Sequence, residues 1–241
     1  MLIKTIFETH NGRVGYRQII MILKREYHLV VNHKRVRRSM KIQKLYCRIR
    51  KKKPSYGNQY HSLVERAFPN RLEQNFNIEK PDMVYSGDVT EIRLKSSHRV
   101  YMHMVKDLAT REIVSYNVST SPNAELVLDN FKEHLKRLPK ETAQNLIYHT
   151  DQGGVFMSDP HIGLLKKLKV KQSMSRRGNC YDNAPIESFF GHMKDYIQFK
   201  SMTTVEQVRN AVEKYINYYN FERPQWTLKK MTPIEYRSHL I

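Results

Sequence analysis

The chain has 241 residues, of which 40% are hydrophobic and 27% charged, so its composition is that of an ordinary globular protein with one good-sized core. Its apolar runs near the start are too short to cross a bilayer, and Cys47 and Cys180 lie far apart with no Cys-x-x-Cys spacing. We therefore expect a cytoplasmic protein with no membrane span, secretory leader, disulfide framework or structural zinc site.

Positive charge is the strongest feature of the composition, with a formal net charge of +19 at pH 7. It is concentrated at the front, because residues 1–53 hold 16 Lys and Arg against two acidic residues, a net of +14. Such an excess predicts a polyanionic partner, since each cation that neutralises a phosphate releases counterions. A solvated basic surface, or attraction to a membrane surface, is the alternative interpretation, although no segment has the pattern of an amphipathic membrane anchor.

The basic N-terminal segment predicts two short helices joined by a turn. Apolar residues recur at helical spacing over residues 13–27, and Asn32 is a good N-cap for a second helix with Val36 and Met40 on its apolar side. The other faces of this second helix carry four basic residues: Lys34, Arg35, Arg37 and Arg38. The pattern predicts a helix-turn-helix within residues 1–53 that contacts DNA. A basic helical hairpin that packs on the next domain without touching bases would explain it equally well.

The rest of the chain predicts a linker followed by an α/β domain. Residues 54–80 have Pro, Asn and Tyr punctuation without sustained periodicity, which is typical of a linker. Three runs rich in Val, Ile and Tyr then predict antiparallel strands, at 83–94, 100–108 and 113–120. An amphipathic helix capped by Asn123, a short buried strand ending near His149, a brief helix and a short strand near Val170 follow. The order βββαβα, with two longer C-terminal helices, predicts one domain over residues 81–241 in which helices cover a sheet.

Three carboxylates in this domain are candidate metal ligands. Asp88 lies in the first strand, and Asp151 comes directly after the buried strand, at the carboxyl end where α/β sheets bind ligands. If those two strands are neighbours, the two aspartates converge. Glu187 lies near the start of a helix on which Lys194 shares its face. Taken singly, each acid is more simply explained as a turn former or a cap.

Together the three acids suit magnesium chemistry on nucleic acid. Mg²⁺ takes a few anionic oxygen ligands and keeps room for phosphate oxygens, and two such ions would assist an in-line phosphoryl displacement. Lys194 would meet the scissile or an adjacent phosphate as a point charge. Arg176 and Arg177 lie in a polar loop before the Glu187 helix that either holds DNA or is only flexible. His149 is interpreted as a hydrogen-bonded scaffold residue, and Asp107 with Arg111 as a salt bridge that steadies a turn.

Several segments, taken together, resemble the bacterial insertion-sequence transposases of the Asp-Asp-Glu type, which are related to retroviral integrases. The segments around the acids are Asp88-Val89-Thr90, His149 to Gly153, and Tyr181 to Ala184 with Glu187 to Phe190 and Lys194. Gly15 to Ile19 and Lys34 to Met40 are similar to the family's helix-turn-helix, and Arg223-Pro224 and Thr232 to Arg237 to its C-terminal part. Tyr85 stands where the family usually has Trp, a change that keeps the packing.

The resemblance implies an RNase H-like integrase catalytic core in which Asp88, Asp151 and Glu187 bind two Mg²⁺ or Mn²⁺ ions. The expected reaction is metal-dependent cleavage and joining of DNA strands at the ends of the element, with Lys194 near the terminal DNA. It also implies a homo-oligomer on DNA in the nucleoid, and a partner protein from the upstream of two overlapping reading frames. The alternative function is a non-catalytic DNA-binding regulator of transposition.

Overall fold

Three helices form the N-terminal unit of the protein in a computed structural model, which describes residues 2–47, 49, 68–176 and 179–241. They are α1 (Leu2–Thr9), α2 (Tyr16–Tyr27) and α3 (His33–Ile42). The Asn32 side chain caps α3 as predicted, since it accepts a hydrogen bond from the Lys34 backbone N–H at 2.8 Å. The apolar sides of the three helices meet in a small core of their own, which includes Ile6, Leu23 and Val36. The helices α2 and α3 were predicted from the sequence, and α1 was not.

The larger unit is built on a five-stranded mixed sheet with the strand order β3-β2-β1-β4-β5. The strands are β1 (Val84–Arg93), β2 (Arg99–Asp107), β3 (Ile113–Ser119), β4 (Ile147–Thr150) and β5 (Lys171–Met174). The first three form an antiparallel meander, and β4 and β5 extend it in parallel from the other edge of β1. The strand order therefore makes β1 and β4 neighbours, the condition under which Asp88 and Asp151 were expected to converge.

Helices cover both faces of this sheet. They are α4 (Ala124–Arg137), α5 (Lys140–Asn145), α6 (Asp159–Lys167), α7 (Ala184–Tyr196), α8 (Val205–Asn217) and α9 (Pro233–Leu240). Alternate residues of β2 point to opposite faces, so Met104 packs with Phe189 of α7 while Val105 packs with Phe131 of α4. Asn123 caps α4 as predicted, whereas α5 and α9 were not predicted.

Part of the predicted linker packs on the core. Leu72 is buried with Val84 and Leu108, and the Asn70 side chain reaches Asp182. Residues 54–67 of that linker lie outside the described residues, as does Arg177. No helix within the described ranges is long and apolar enough to cross a membrane.

Asp107 has a different partner from the one expected. Its carboxylate accepts from the guanidinium of Arg237 at 2.9 Å, and Arg237 also binds Asp82 and Glu112. Arg111 instead adopts a left-handed conformation and donates its backbone N–H to the carbonyl of Asp107. Among the described residues its guanidinium makes no ion pair with that carboxylate, although the charge of Asp107 opposes the burial that lowers the pKa of Arg111. The predicted salt bridge between Asp107 and Arg111 is therefore wrong, because α9 brings a better-placed arginine to the same turn.

Candidate active site

Parallel pairing of β1 with β4 brings two of the predicted acids to one edge of the sheet. The register pairs Ser86 with His149. Asp88 lies two residues further along β1, and Asp151 lies two residues after His149, just past the end of β4. The Asp88 carboxylate accepts a hydrogen bond from the Val89 backbone N–H at 2.7 Å. That of Asp151 accepts one from the Gly153 N–H at 2.8 Å, so backbone donors orient both acids.

Gly87 allows a close approach beneath Asp88. A Cβ at this position would lie 1.9 Å from the hydroxyl oxygen of Tyr148 on β4, far inside any real contact. The Tyr148 hydroxyl is in turn hydrogen-bonded to Nε2 of the buried His103 at 2.9 Å. A buried Tyr–His pair therefore supports the strand that carries Asp88.

Polar contacts fix the start of α7, which carries Glu187 in its first turn. The buried Asn183 accepts from the Ser86 hydroxyl at 2.6 Å, which ties the turn before α7 to β1 beside Asp88. The amino group of the buried Lys106 donates to the Pro185 carbonyl at 3.0 Å. Both contacts hold Glu187 against the edge where Asp88 and Asp151 lie.

The Asp182 carboxylate anchors the same turn from the other side. It accepts hydrogen bonds from the side chains of Asn70, Gln74 and Arg176, and from the Arg176 backbone N–H. The hydrogen bonds from Arg176 hold the pKa of Asp182 far below its usual range. Arg176, a predicted DNA-binding residue, is thus paired with Asp182, although its side chain remains 60% exposed.

The three predicted acids interact electrostatically. Burial, and then the negative charge of Asp151, raise the pKa of Asp88 to about 7, and Glu187 adds to the shift. Burial also raises the pKa of Asp151. For Glu187 the causes of a raised pKa are partial desolvation and then Asp151. Burial and the neighbouring negative charges both disfavour the ionised carboxylates, so a cation bound among them would stabilise their charged forms.

These side chains do not form a closed ligand set. Within the part of the chain that the structure describes, no group of three or more His, Cys, Asp or Glu side chains is close enough to hold a metal ion as it stands. Asp88, Asp151 and Glu187 therefore share one edge without being drawn together on it.

Lys194, two turns after Glu187 on α7, lies beside β1. Its amino group donates to the Thr90 hydroxyl, two residues beyond Asp88. Partial burial lowers the pKa of Lys194, while the charges of Asp88 and Glu91 oppose that shift. A cation is therefore present next to the acids, as the sequence predicted.

Two other groups of predicted residues are the basic residues of α3 and His149. The four basic residues of α3 that were expected to contact DNA are all exposed: Lys34, Arg35, Arg37 and Arg38. His149 is fully buried between the hydroxyls of Ser173 and Ser175, at 2.8 and 3.1 Å, and burial lowers its pKa to about 4. It is a neutral scaffold residue, as expected.

Sequence reasoning did not assign the residues that support the acids. Tyr148 and Lys106 gave no signal, because a tyrosine in a buried strand and a lysine before a turn are ordinary features. Asp182 and Asn183 stand in the segment Tyr181 to Ala184, and their position just before the Glu187 helix was the only available indication.

Three protein-family models match the chain. Residues 1–53 match an HTH-like domain, and residues 78–180 and 168–233 match two models of the integrase core domain. The family models thus account for both units of the structure.

Curated relatives are similar over nearly the whole chain. The putative transposase InsK for insertion sequence element IS150 of Escherichia coli is 34% identical and covers 98% of this chain and 81% of its own length. The transposase for insertion sequence element IS904 of Lactococcus lactis is 32% identical, with 98% of this chain and 92% of that protein covered.

Solved structures share the fold. The HTLV-2 integrase catalytic core domain in complex with magnesium has a TM-score of 0.50 at 16% identity, over 66% of this chain and 97% of that one. The simian T-cell lymphotropic virus intasome has a TM-score of 0.55 at 13% identity, over 98% of this chain and 74% of that chain. The larger unit therefore has the RNase H-like fold of an integrase catalytic core, as predicted.

Proposed function

The chain belongs to the insertion-sequence transposases that carry an integrase core, and we propose on that basis that it cleaves and joins DNA strands at the ends of its element. The observation that carries this proposal is that Asp88, Asp151 and Glu187, which come from β1, the residue after β4 and α7, lie along one edge of the sheet and interact electrostatically. Their raised pKa values indicate that each carboxyl lies in the field of another or in a partly dry site.

The donor set fits Mg²⁺ or Mn²⁺. Carboxylate oxygens are the ligands that these hard ions prefer, and Asp88, Asp151 and Glu187 would hold two of them. When bound, such ions would activate the attacking oxygen and stabilise the leaving oxygen of a phosphoryl transfer. The HTLV-2 neighbour was solved with magnesium, which supports the choice of metal.

The chain's own residues would orient the DNA. Lys194 would contact a phosphate next to the acids as a point charge. The exposed cations of α3, within the strongly basic residues 1–53, would bind DNA phosphates further from the acids. In the loop before α7, Arg176 would contact DNA with the part of its guanidinium that Asp182 leaves accessible, and we extend that role to its neighbour Arg177.

A strand-cleavage assay tests the catalytic assignment. The substrate is a duplex that ends in the element's terminal sequence, with Mg²⁺ or Mn²⁺ added. We expect Asp151→Asn to lower the cleavage rate by at least about 10²- to 10³-fold, the usual effect of losing one electrostatic stabiliser. Asp129→Asn, which removes an exposed carboxylate on α4, is the matched control and should keep the rate. Equal activity of Asp151→Asn and the unaltered protein would refute the site.

Metal binding gives a second test that does not depend on activity. An ion that binds only the folded protein raises the melting temperature by mass action. We expect Mn²⁺ to raise the melting temperature of the unaltered protein and of Asp129→Asn, but not that of Asp88→Asn. An equal rise in all three would place the ion elsewhere.

The alternative function, a regulator that binds DNA without cutting it, is favoured by the exposed basic face of α3. The double substitution of Lys34→Ala with Arg38→Ala should weaken duplex binding. It should also lower the slope of log affinity against log salt concentration by about two, one for each lost phosphate contact. If the unaltered protein binds with a steep salt dependence but never cleaves, the regulator is the better description.

Assembly is part of the proposal. The simian virus neighbour was solved in an intasome, and we propose that this chain also acts as an oligomer on DNA. Light scattering with and without the terminal duplex would show whether DNA induces oligomers. Adding the product of the upstream reading frame to the cleavage assay would show whether that partner is needed.

A further inference from the structure

A continuous strip of cations and aromatic rings runs between the N-terminal helices and the C-terminal part of the chain. We name it the cation-aromatic strip and define it as Arg13, Tyr196, Arg17, Trp226 and Lys230. The Arg13 guanidinium lies 5.6 Å from the centroid of the Tyr196 ring. The Arg17 guanidinium lies 6.0 Å and the Lys230 amino group 5.1 Å from the Trp226 ring.

The strip borders a cleft of about 500 Å³. Arg13, Arg17 and Arg223 supply its positive charge, and Glu222 is the one acidic residue among its lining side chains. One wall is the Tyr196 ring stacked on that of Tyr218, with centroids 5.2 Å apart and an interplanar angle of 21°. The volume is within the range of small-ligand sites, roughly 300–1,000 Å³.

Both aromatic residues of the strip are partly exposed, although the Tyr196 ring also has Tyr218 stacked on it and the Arg13 guanidinium beside it. Tyr196 is 41% exposed and Trp226 is 43% exposed. Tyrosine and tryptophan side chains contribute most to stability or to binding when another group covers their rings. Cations beside half-exposed rings are the combination that single-stranded nucleic acids bind, since bases stack on the rings and phosphates meet the charges.

The strip begins next to the candidate active site. Arg13 also lines an adjoining groove of about 640 Å³ together with Lys95, Lys194 and Lys200. Lys194 is the cation that binds Thr90 beside Asp88. Asp195 is the one acidic residue among the described side chains that line this groove. A strand that leaves the acids past Lys194 therefore meets a groove with an excess of positive charge before it reaches the cleft.

The other end of the strip leads to α3. Arg17 and Arg37 lie 5.6 and 5.4 Å from the ring of Tyr16, and Arg37 is one of the predicted DNA-binding residues. The strip thus connects the basic helix of the N-terminal unit with the edge that carries the acids.

We propose that the cation-aromatic strip binds a single-stranded DNA segment adjoining the candidate active site. One base would stack on Trp226, and another on Tyr196 in place of the Arg13 guanidinium, which would turn to a phosphate. Arg17 would contact a second phosphate. A duplex fits less well, because it keeps the faces of its bases stacked inside and offers only phosphates to the rings. The inference rests on the proposed function in one respect, namely that the nucleic acid is DNA.

Trp226 reports directly on this interaction, because it is the only tryptophan in the chain. The full chain is titrated in EDTA with a single-stranded oligothymidylate of about 12 nucleotides, within the usual site size, or with a duplex of matched length. We expect oligothymidylate to quench the Trp226 fluorescence and the duplex to leave it unchanged. Quenching by neither nucleic acid, or by both equally, would overturn the proposal.

Substitutions separate stacking from charge. Tyr196→Leu should weaken binding of labelled oligothymidylate about five- to a hundredfold, the loss of one stacked base, and change duplex binding less than about twofold. Tyr196→Phe keeps the ring and should restore the affinity. Arg17→Ala should lower the salt slope by about one, while Arg137→Ala on α4, across the sheet, removes the same charge and should not. If Tyr196→Leu weakens binding of the duplex and of the single strand equally, the strip binds phosphates and does not stack bases, and the proposal is refuted.

Crosslinking needs no altered protein. Oligothymidylate that carries 5-bromodeoxyuridine should crosslink to Trp226 or Tyr196 on irradiation, and crosslinks only elsewhere would refute the assignment. All binding is measured without metal, so the two proposals fail separately. An inactive protein whose Trp226 is still quenched refutes cleavage alone, and an active protein without quenching refutes the strip alone.

Discussion

Replacing Gly87 with alanine should disrupt the strand that carries Asp88. The added Cβ would lie 1.9 Å from the Tyr148 hydroxyl oxygen and 2.5 Å from Cζ of the same ring. Ordinary contacts begin at 3.4 Å, so the ring or the strand must move by about 1.5 Å. Because Gly87 precedes Asp88, the movement also displaces a proposed metal ligand.

The ring of Tyr148 has little room to retreat. Its centroid is 4.5 Å from that of Phe131 and 5.8 Å from that of His161, and its hydroxyl is bonded to His103. Overpacking costs about 1–3 kcal/mol, and a buried hydrogen bond left unpaired costs about 1–3 kcal/mol more. Gly87→Ala should therefore lower the free energy of unfolding by about 2–6 kcal/mol, a large part of a typical domain's stability.

Urea denaturation followed by circular dichroism measures this loss. Gly163→Ala on α6 is the matched control, because its Cβ would meet nothing within 4 Å. It should raise the free energy of unfolding by about 0.5–1 kcal/mol, since alanine has the higher helix propensity. In a Tyr148→Ala background, Gly87→Ala should cost much less than in the unaltered protein. If Gly87→Ala is as stable as the unaltered protein, or if Tyr148→Ala does not relieve it, the close approach is refuted.

Substitutions at three further positions test the charged groups of the interior. Arg237→Ala should lower the free energy of unfolding in urea by about 3 kcal/mol, because it leaves the buried Asp107 and the half-buried Asp82 and Glu112 without their cation. Arg237→Lys should restore only part of this loss. Burial lowers the pKa of Lys106, so the unfolded chain binds more protons and the unaltered protein gains stability as pH rises toward about 10.4. Lys106→Met should remove that gain, and a persistent slope would contradict the assignment. The lowered pKa of Asp182 stabilises the fold at neutral pH, and its advantage over Asp182→Asn should shrink as pH falls below about 4.

Most of the fold could be predicted from the sequence because its signals are local. Runs rich in Val, Ile and Tyr located β1, β2 and β3, and the side chains of Asn32 and Asn123 marked the starts of α3 and α4. The helices α1, α5 and α9 are six to eight residues long, so they are too short for a clear periodicity and are stabilised by what they pack against. The partner of Asp107 was missed for the same reason, since Arg237 lies 130 residues away on α9.

The sequence predicted some residues of the candidate site and their surroundings better than others. Asp88 and Asp151 follow from the strand pattern once β1 and β4 are neighbours, and the parallel register supplies that condition. The sequence also shows that Gly87 lacks a side chain, but it does not show that Tyr148 fills the space. Lys106 escaped notice because lysine is almost never fully buried, so no pattern rule places one behind a helix.

The position of Glu187 depends on two kinds of contact, apolar packing along α7 and polar contacts at its start. Along α7, Phe189 and Met193 bury the helix in the apolar core, which fixes how it lies on the sheet. Its first turn also packs in that core through Ile186, but the residues just before it, Asp182 and Asn183, are held by polar contacts. Hydrophobic packing tolerates small displacements, whereas hydrogen bonds are directional and weaken steeply with angle. The apolar residues therefore determine that α7 forms, and the polar pair determines where the Glu187 carboxylate points relative to Asp88 and Asp151.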